Sequence, residues 1–114
     1  MATSTILGQT RKPFTTPAYC YIRATDKLPS TDEAYSQADP VCKVKLFPPG
    51  AGFTYFVAGF DPETGLGFGV VHGFEKELGD FDLNEIVAAR VPPFRLPFER
   101  DLGWTPTRVS ELLR

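Results

Sequence analysis

The sequence predicts an α+β domain: a four- or five-stranded, largely antiparallel sheet with two or three short helices packed on one face. Three observations lead there. The stretch from Asp39 to Phe81 holds most of the chain's β-branched and aromatic residues. Turn chemistry cuts it into pieces of strand length. Capping-box spacings, Ser30 with Glu33 and Asp82 with Glu85, open short runs of helical periodicity.

Met1 to Thr16 is polar and irregular and reads as a flexible lead-in, so the single domain is expected over residues 17–114. Pro17 to Arg23 has the composition of a first strand. A helix of about two turns is expected from Ser30 to Gln37, stopped by Asp39-Pro40. In Val41 to Phe47, Cys42, Val44 and Leu46 alternate with Lys43 and Lys45, the period of a strand with one buried face and both lysines outward. Pro48-Pro49-Gly50 ends it.

Phe53 to Phe60 places Phe53, Tyr55, Val57 and Gly59 on one face and Thr54, Phe56, Ala58 and Phe60 on the other. Neither face is polar, which predicts a central strand covered on both sides. Asp61 to Gly65 is a hairpin turn, with Gly65 free to take positive φ. In the partner strand, Leu66 to His72, Gly67 and Gly69 leave room for a bulge or for something to approach the backbone. Gly79 to Phe81 reads as a short edge strand feeding a helix capped by Asp82, with Leu83, Ile86 and Val87 as its apolar stripe. Pro92, Pro93 and Pro97 keep Val91 to Phe98 extended. Thr105-Pro106 is expected to start a last helix carrying Val109, Leu112 and Leu113.

Fourteen acidic residues against twelve basic ones, and a net charge of −2, fit neither a basic nucleic-acid footprint nor a polyanion mimic. No apolar run is long enough to span a bilayer, and no basic-then-apolar leader opens the chain. Cys20 and Cys42 stand in no metal-ligand spacing and are expected as free thiols in a reducing compartment. No catalytic residue, cofactor or metal is expected. His72, the one histidine, has Glu75, Glu77, Asp80 and Asp82 after it, but a metal site needs several ligands converging and nothing in the spacing provides that. No elbow motif surrounds a serine or cysteine.

The polar run that stands out is Glu99-Arg100-Asp101. On an extended segment Glu99 and Asp101 share a face and Arg100 takes the other. Arg100 can pair with an acid elsewhere, such as Glu85 or Asp80, and lock the C-terminal arm, or it can offer its fork to a partner's carboxylate or phosphate. Candidate binding residues are therefore Glu99, Arg100, Asp101, Trp104, Tyr55, Lys43 and Lys45, the aromatics having polar handles suited to an interface.

Several segments carry a family likeness: Asp39-Pro40-Val41, Lys45-Leu46-Phe47-Pro48, Thr54-Tyr55, Phe60-Asp61, Phe68-Gly69, Glu77 to Phe81, and above all Leu96-Pro97-Phe98-Glu99-Arg100-Asp101-Leu102. From Leu28 to Leu113 the chain resembles a family of short proteins, classed as a domain of unknown function, that are encoded by plasmids, phages and other mobile elements, often near antirestriction genes. It departs from that pattern at Tyr35-Ser36-Gln37-Ala38 and adds an N-terminal extension. The resemblance implies a mobile-element origin and a bacterial cytoplasm; it transfers no catalytic residue.

The functional expectation is a non-enzymatic interaction protein that binds a host or self protein, in a role that blunts a host defence. The alternatives are a small-molecule or nucleotide binder using the glycine-rich strand and Arg100, and a nucleic-acid-binding accessory. No membrane association is expected, and a sheet with an open edge can pair two copies.

Overall fold

The computed structural model describes residues 10–11, 19–49, 52–92 and 95–114. Among them, β1 (Thr10–Arg11) pairs with β2 (Tyr19–Cys20), and a 3-10 turn at Ala24–Asp26 leads to α1 (Thr31–Ser36). The chain continues through β3 (Val41–Cys42), β4 (Val44–Phe47), β5 (Thr54–Asp61), β6 (Leu66–His72) and β7 (Lys76–Asp82) into α2 (Leu83–Ala88). It closes with β8 (Glu99–Arg100), β9 (Thr107–Arg108) and α3 (Val109–Leu112). The main sheet has five antiparallel strands in the order β7-β6-β5-β4-β8, and β3 pairs with β9 in a second small sheet. This is the α+β architecture expected. Of the expected lead-in, Thr10–Arg11 is strand, while residues 1–9 and 12–16 lie outside the described residues, as do Pro17 and Ala18 of the expected first strand.

The helices do not share one face. Leu83, Ile86 and Val87 of α2 join Val44, Leu46, Val57, Phe60, Tyr21, Ile22 and Phe98 in one apolar cluster. Ala34 of α1 and Val109 and Leu112 of α3 join Phe56, Ala58, Phe68, Val70 and Cys42 in another, on the opposite side of the sheet. A sheet whose central strand is apolar on both faces needs cover on both, and three short helices are divided between them.

Two local irregularities correct the strict alternation read along the strands. Cys42 lies in the α1/α3 cluster while Val44 and Leu46 lie in the α2 cluster, because the chain changes sides at Lys43, where β3 ends and β4 begins. In β5 the register slips between Val57 and Gly59, so Ala58 is a bulged residue. The slip moves Phe60 to the face of Val57, opposite Phe56 and Ala58. Gly69 makes the bulge possible: a Cβ there would sit 1.9 Å from the Phe56 carbonyl oxygen. Gly67 is filled from its own side, by the rings and methyls of Phe81 and Leu83.

The turn at 62–65 forms as expected, with Gly65 at φ +82° and its N–H bonded to the Asp61 carbonyl at 2.8 Å. Ser30 caps α1 through the Glu33 N–H at 3.1 Å. Asp82 caps α2, but through Asn84 N–H at 2.9 Å and not Glu85. The last helix starts later than Thr105, since Thr107–Arg108 is taken up as β9. Its first turn is capped from afar: Asp39 accepts from Ser110 N–H at 3.0 Å and from the Ser110 hydroxyl at 2.7 Å. These bonds hold the Asp39 carboxyl below its ordinary value. Val91 to Phe98 is not one extended arm; Val91 and Leu96 exchange backbone hydrogen bonds at 2.8 and 3.1 Å, so the chain reverses between them. The expected edge strand at Gly79 to Phe81 runs the full seven residues from Lys76 to Asp82.

Candidate functional site

The seven residues proposed from sequence do not form one site. Arg100 lies on the α2 face of the sheet, the face of Leu46, its register partner. Its side chain is 5% exposed and its fork is engaged: Nη1 and Nη2 each donate to an Asp26 carboxylate oxygen at 2.7 Å, and Nη1 also donates to the Tyr21 carbonyl at 2.9 Å. The partner is thus Asp26, not Glu85 or Asp80. Asp26 is held in turn by Arg23 N–H at 2.7 Å, and the Tyr21 hydroxyl donates to the Phe98 carbonyl at 2.6 Å. This bidentate clasp ties the segment 21–26 to β8. A guanidinium so engaged is a structural fastener. The fork offered to a partner, which the sequence left open, is taken.

Lys45, Asp101 and Trp104 come together on the other face. Lys45 Nζ is 3.5 Å from Asp101 Oδ2 and 5.4 Å from the Trp104 ring centroid, while Trp104 Nε1 donates to the Cys42 carbonyl at 3.1 Å. Glu99 is half-buried opposite Phe47. Lys43 donates to the Lys27 carbonyl at 3.1 Å, and Tyr55 is half-buried between the rings of Phe81 and Phe98, with centroids 5.2 and 5.7 Å away. These are cross-braces within the domain.

His72 Nε2 is 2.6 Å from the Leu112 carbonyl and the ring lies edge-on to Phe56, so the histidine anchors α3. Among the described residues no group of three or more His, Cys, Asp or Glu is placed to hold a metal ion. Cys42 is buried and free, and burial pushes its thiol up to about 12. It is expected to resist iodoacetamide in the folded protein and to react only on unfolding, which mass spectrometry of protein alkylated with and without denaturant would show.

What the sequence reasoning missed lies at one end of the sheet. The turn from β6 to β7 is only Gly73 to Glu75, and it carries Phe74 on its tip, fully exposed. Phe74 stands edge-on to Phe53, itself 46% exposed, with ring centroids 6.4 Å apart. Beside them opens a groove of about 320 Å³ lined by Phe53, Tyr55, Val71, Phe74, Glu75 and Glu77. Tyr55, Val71 and Glu77 form its floor because the register sets them side by side across three strands. Two exposed aromatics rimmed by two carboxylates suit an apolar side chain with a cation beside it. A signal was present in the sequence: an aromatic next to glycine, between two strands, has no core to enter.

Neither a curated protein nor a solved structure matches the chain. A family model matches residues 22–113, a span that takes in the five-stranded sheet, all three helices and the groove. Tyr35 to Ala38 form the exposed end of α1 and the bend after it. The chain belongs to the DUF2958 family, proteins of unknown function.

Proposed function

We propose that this chain is a non-enzymatic interaction protein of a mobile genetic element, binding a host or self protein in the bacterial cytoplasm through the Phe53–Phe74 groove and thereby blunting a host defence. The observation that carries the reading is Phe74: a phenylalanine entirely in water, braced by a second exposed ring and flanked by Glu75 and Glu77. Exposed aromatics at the centre of an apolar patch are the usual anchors of protein interfaces, and the carboxylates select a basic segment on the partner. The two features behind a nucleotide site are both occupied by protein, Gly67 and Gly69 by neighbouring atoms and Arg100 by Asp26.

The test is a pull-down from host lysate with the wild-type protein beside Phe74→Ala, which removes an exposed ring and leaves the fold intact. A partner retained by wild type should bind Phe74→Ala about thirty-fold more weakly, the usual cost of truncating an interface anchor. Glu75→Lys with Glu77→Lys should slow association and flatten its dependence on salt. Equal retention by wild type and Phe74→Ala would remove the groove from the account. A catalytic turnover lost on changing one polar residue would remove the non-enzymatic reading altogether.

A further inference from the structure

The strand β7 forms one margin of the sheet, and among the described residues no strand pairs with its outer edge. Which groups it leaves unpaired follows from two bonds. Leu83 N–H reaches the Gly65 carbonyl at 3.0 Å and Gly73 N–H reaches the Glu75 carbonyl at 3.0 Å. With Leu66 opposite Asp82 and His72 opposite Lys76, these bonds flank wide pairs, so Glu77, Gly79 and Phe81 spend their backbone groups on β6. Lys76, Leu78 and Asp80 point theirs outward. Their side chains lie on the α3 face, beside His72, Val70 and Phe68, and Leu78 is 47% exposed there.

Proteins ordinarily blunt such an edge with proline, a bulge, brevity or charged side chains; this one is seven residues long, without proline, pairs without a slip in register, and of these devices carries only charge. Its charges, Lys76, Glu77, Asp80 and Asp82, are arranged so that the strand complements itself. Two copies related by a two-fold axis perpendicular to the sheet run antiparallel with equal faces together. Centring the axis on Leu78 sets Leu78 against Leu78, Lys76 against Asp80 at both ends, and Glu77 against Gly79. Moving the centre to Glu77 or Asp80 sets like charges face to face. Centring it on Gly79 sets Leu78 against a carboxylate and Lys76 against Asp82, whose carboxylate already caps α2. Lys76 Nζ also donates to the Arg114 carbonyl, which keeps the ammonium on the α3 face, where Asp80 of the second copy arrives.

We infer that the chain self-associates through β7 as an antiparallel two-fold dimer centred on Leu78, joining two five-stranded sheets into one. The occupant of the edge is a second copy, because the edge is charge-complementary to itself in that register. The joined sheet carries both Phe53–Phe74 grooves on one face, which makes the dimer bivalent toward a partner.

The experiment is sedimentation velocity over a concentration series. Wild type should move from 12.6 kDa toward twice that mass. Lys76→Asp sets aspartate against Asp80, and Asp80→Lys sets lysine against Lys76, so each variant alone should self-associate at least about tenfold more weakly. Mixed in equal amounts, the two variants restore opposite charges at both ends and should form a heterodimer. Wild type that stays monomeric at several hundred micromolar overturns the proposal and leaves the edge to a different chain. Variants that dimerise as wild type does, or a mixture that does not recover, overturn the register. None of these outcomes depends on the groove, so loss of partner binding in Phe74→Ala and loss of self-association remain separately readable.

Discussion

Asp26→Ala is expected to lower folding stability by about 4 kcal/mol, because removing one member of a buried ion pair leaves the other charge desolvated and uncompensated. Both side chains are nearly closed to water, at 7% exposed for Asp26 and 5% for Arg100, and the contact is bidentate. For a domain this size that is a large share of the total. Converting the charge itself is the discriminating control. In Asp26→Ala combined with Arg100→Met no buried charge remains, so the double variant should be more stable than Asp26→Ala alone. Chemical denaturation of the four proteins in a mutant cycle measures this. A cost for Asp26→Ala within about 1 kcal/mol of wild type, the range of an exposed pair, would sink the account.

The same pair sets an acid dependence. Burial pushes the Asp26 carboxyl up, but the Arg100 guanidinium and the Arg23 N–H bonded to it pull it down further, leaving it below its ordinary 3.8. A carboxyl lowered in the folded state is more readily protonated in the unfolded chain. Its contribution is therefore fully present above 3.8 and is lost as the pH falls through the lowered folded value. The gap in stability between wild type and Asp26→Ala should be wide at neutral pH and narrow in acid below 3.8. A gap that widens there would mean that the sign is wrong.

Gly69→Ala is expected to cost about 3 kcal/mol or more, an effect of overpacking at a site that cannot relax. The new methyl would lie 1.9 Å from the Phe56 carbonyl oxygen and 3.1 Å from the Ala58 nitrogen, and both are backbone atoms of the bulged strand. No side chain can turn away to make room; either the bulge is undone, which would send Phe60 to the wrong face, or β6 moves off β5. Gly79→Ala is the matched control, two strands from β5 with nothing within 4 Å of its added methyl. It should be neutral or mildly stabilising, since glycine is a poor strand residue. Thermal midpoints of the two variants that do not separate would show that the bulge is not held by this contact.

Features that were legible in the sequence are those whose cause lies within a few residues. Alternation in Val44 to Leu46 and in Leu66 to Val70, the turn at Asp61 to Gly65, the caps at Ser30 and Asp82, and an apolar central strand all follow from period-two patterning and from turn and cap chemistry. So does the structural option for Glu99-Arg100-Asp101, in which alternation sends Arg100 to one face and its neighbours to the other. Tertiary structure decided the rest. Asp26 and Arg100 are 74 positions apart, and Asp39 caps a helix 71 positions on; no spacing rule connects residues so distant, so the acid that clasps Arg100 could not be chosen among several. The bulge at Ala58 depends on an empty volume at Gly69 in the neighbouring strand, and a one-residue slip reverses every side chain beyond it. Which helix covers which face is settled by contacts between distant segments, α2 on one side and α1 with α3 on the other. Local chemistry determined the elements of this protein; contacts between distant segments determined which of its charged and aromatic residues hold the domain together and which, Phe74 first, face water.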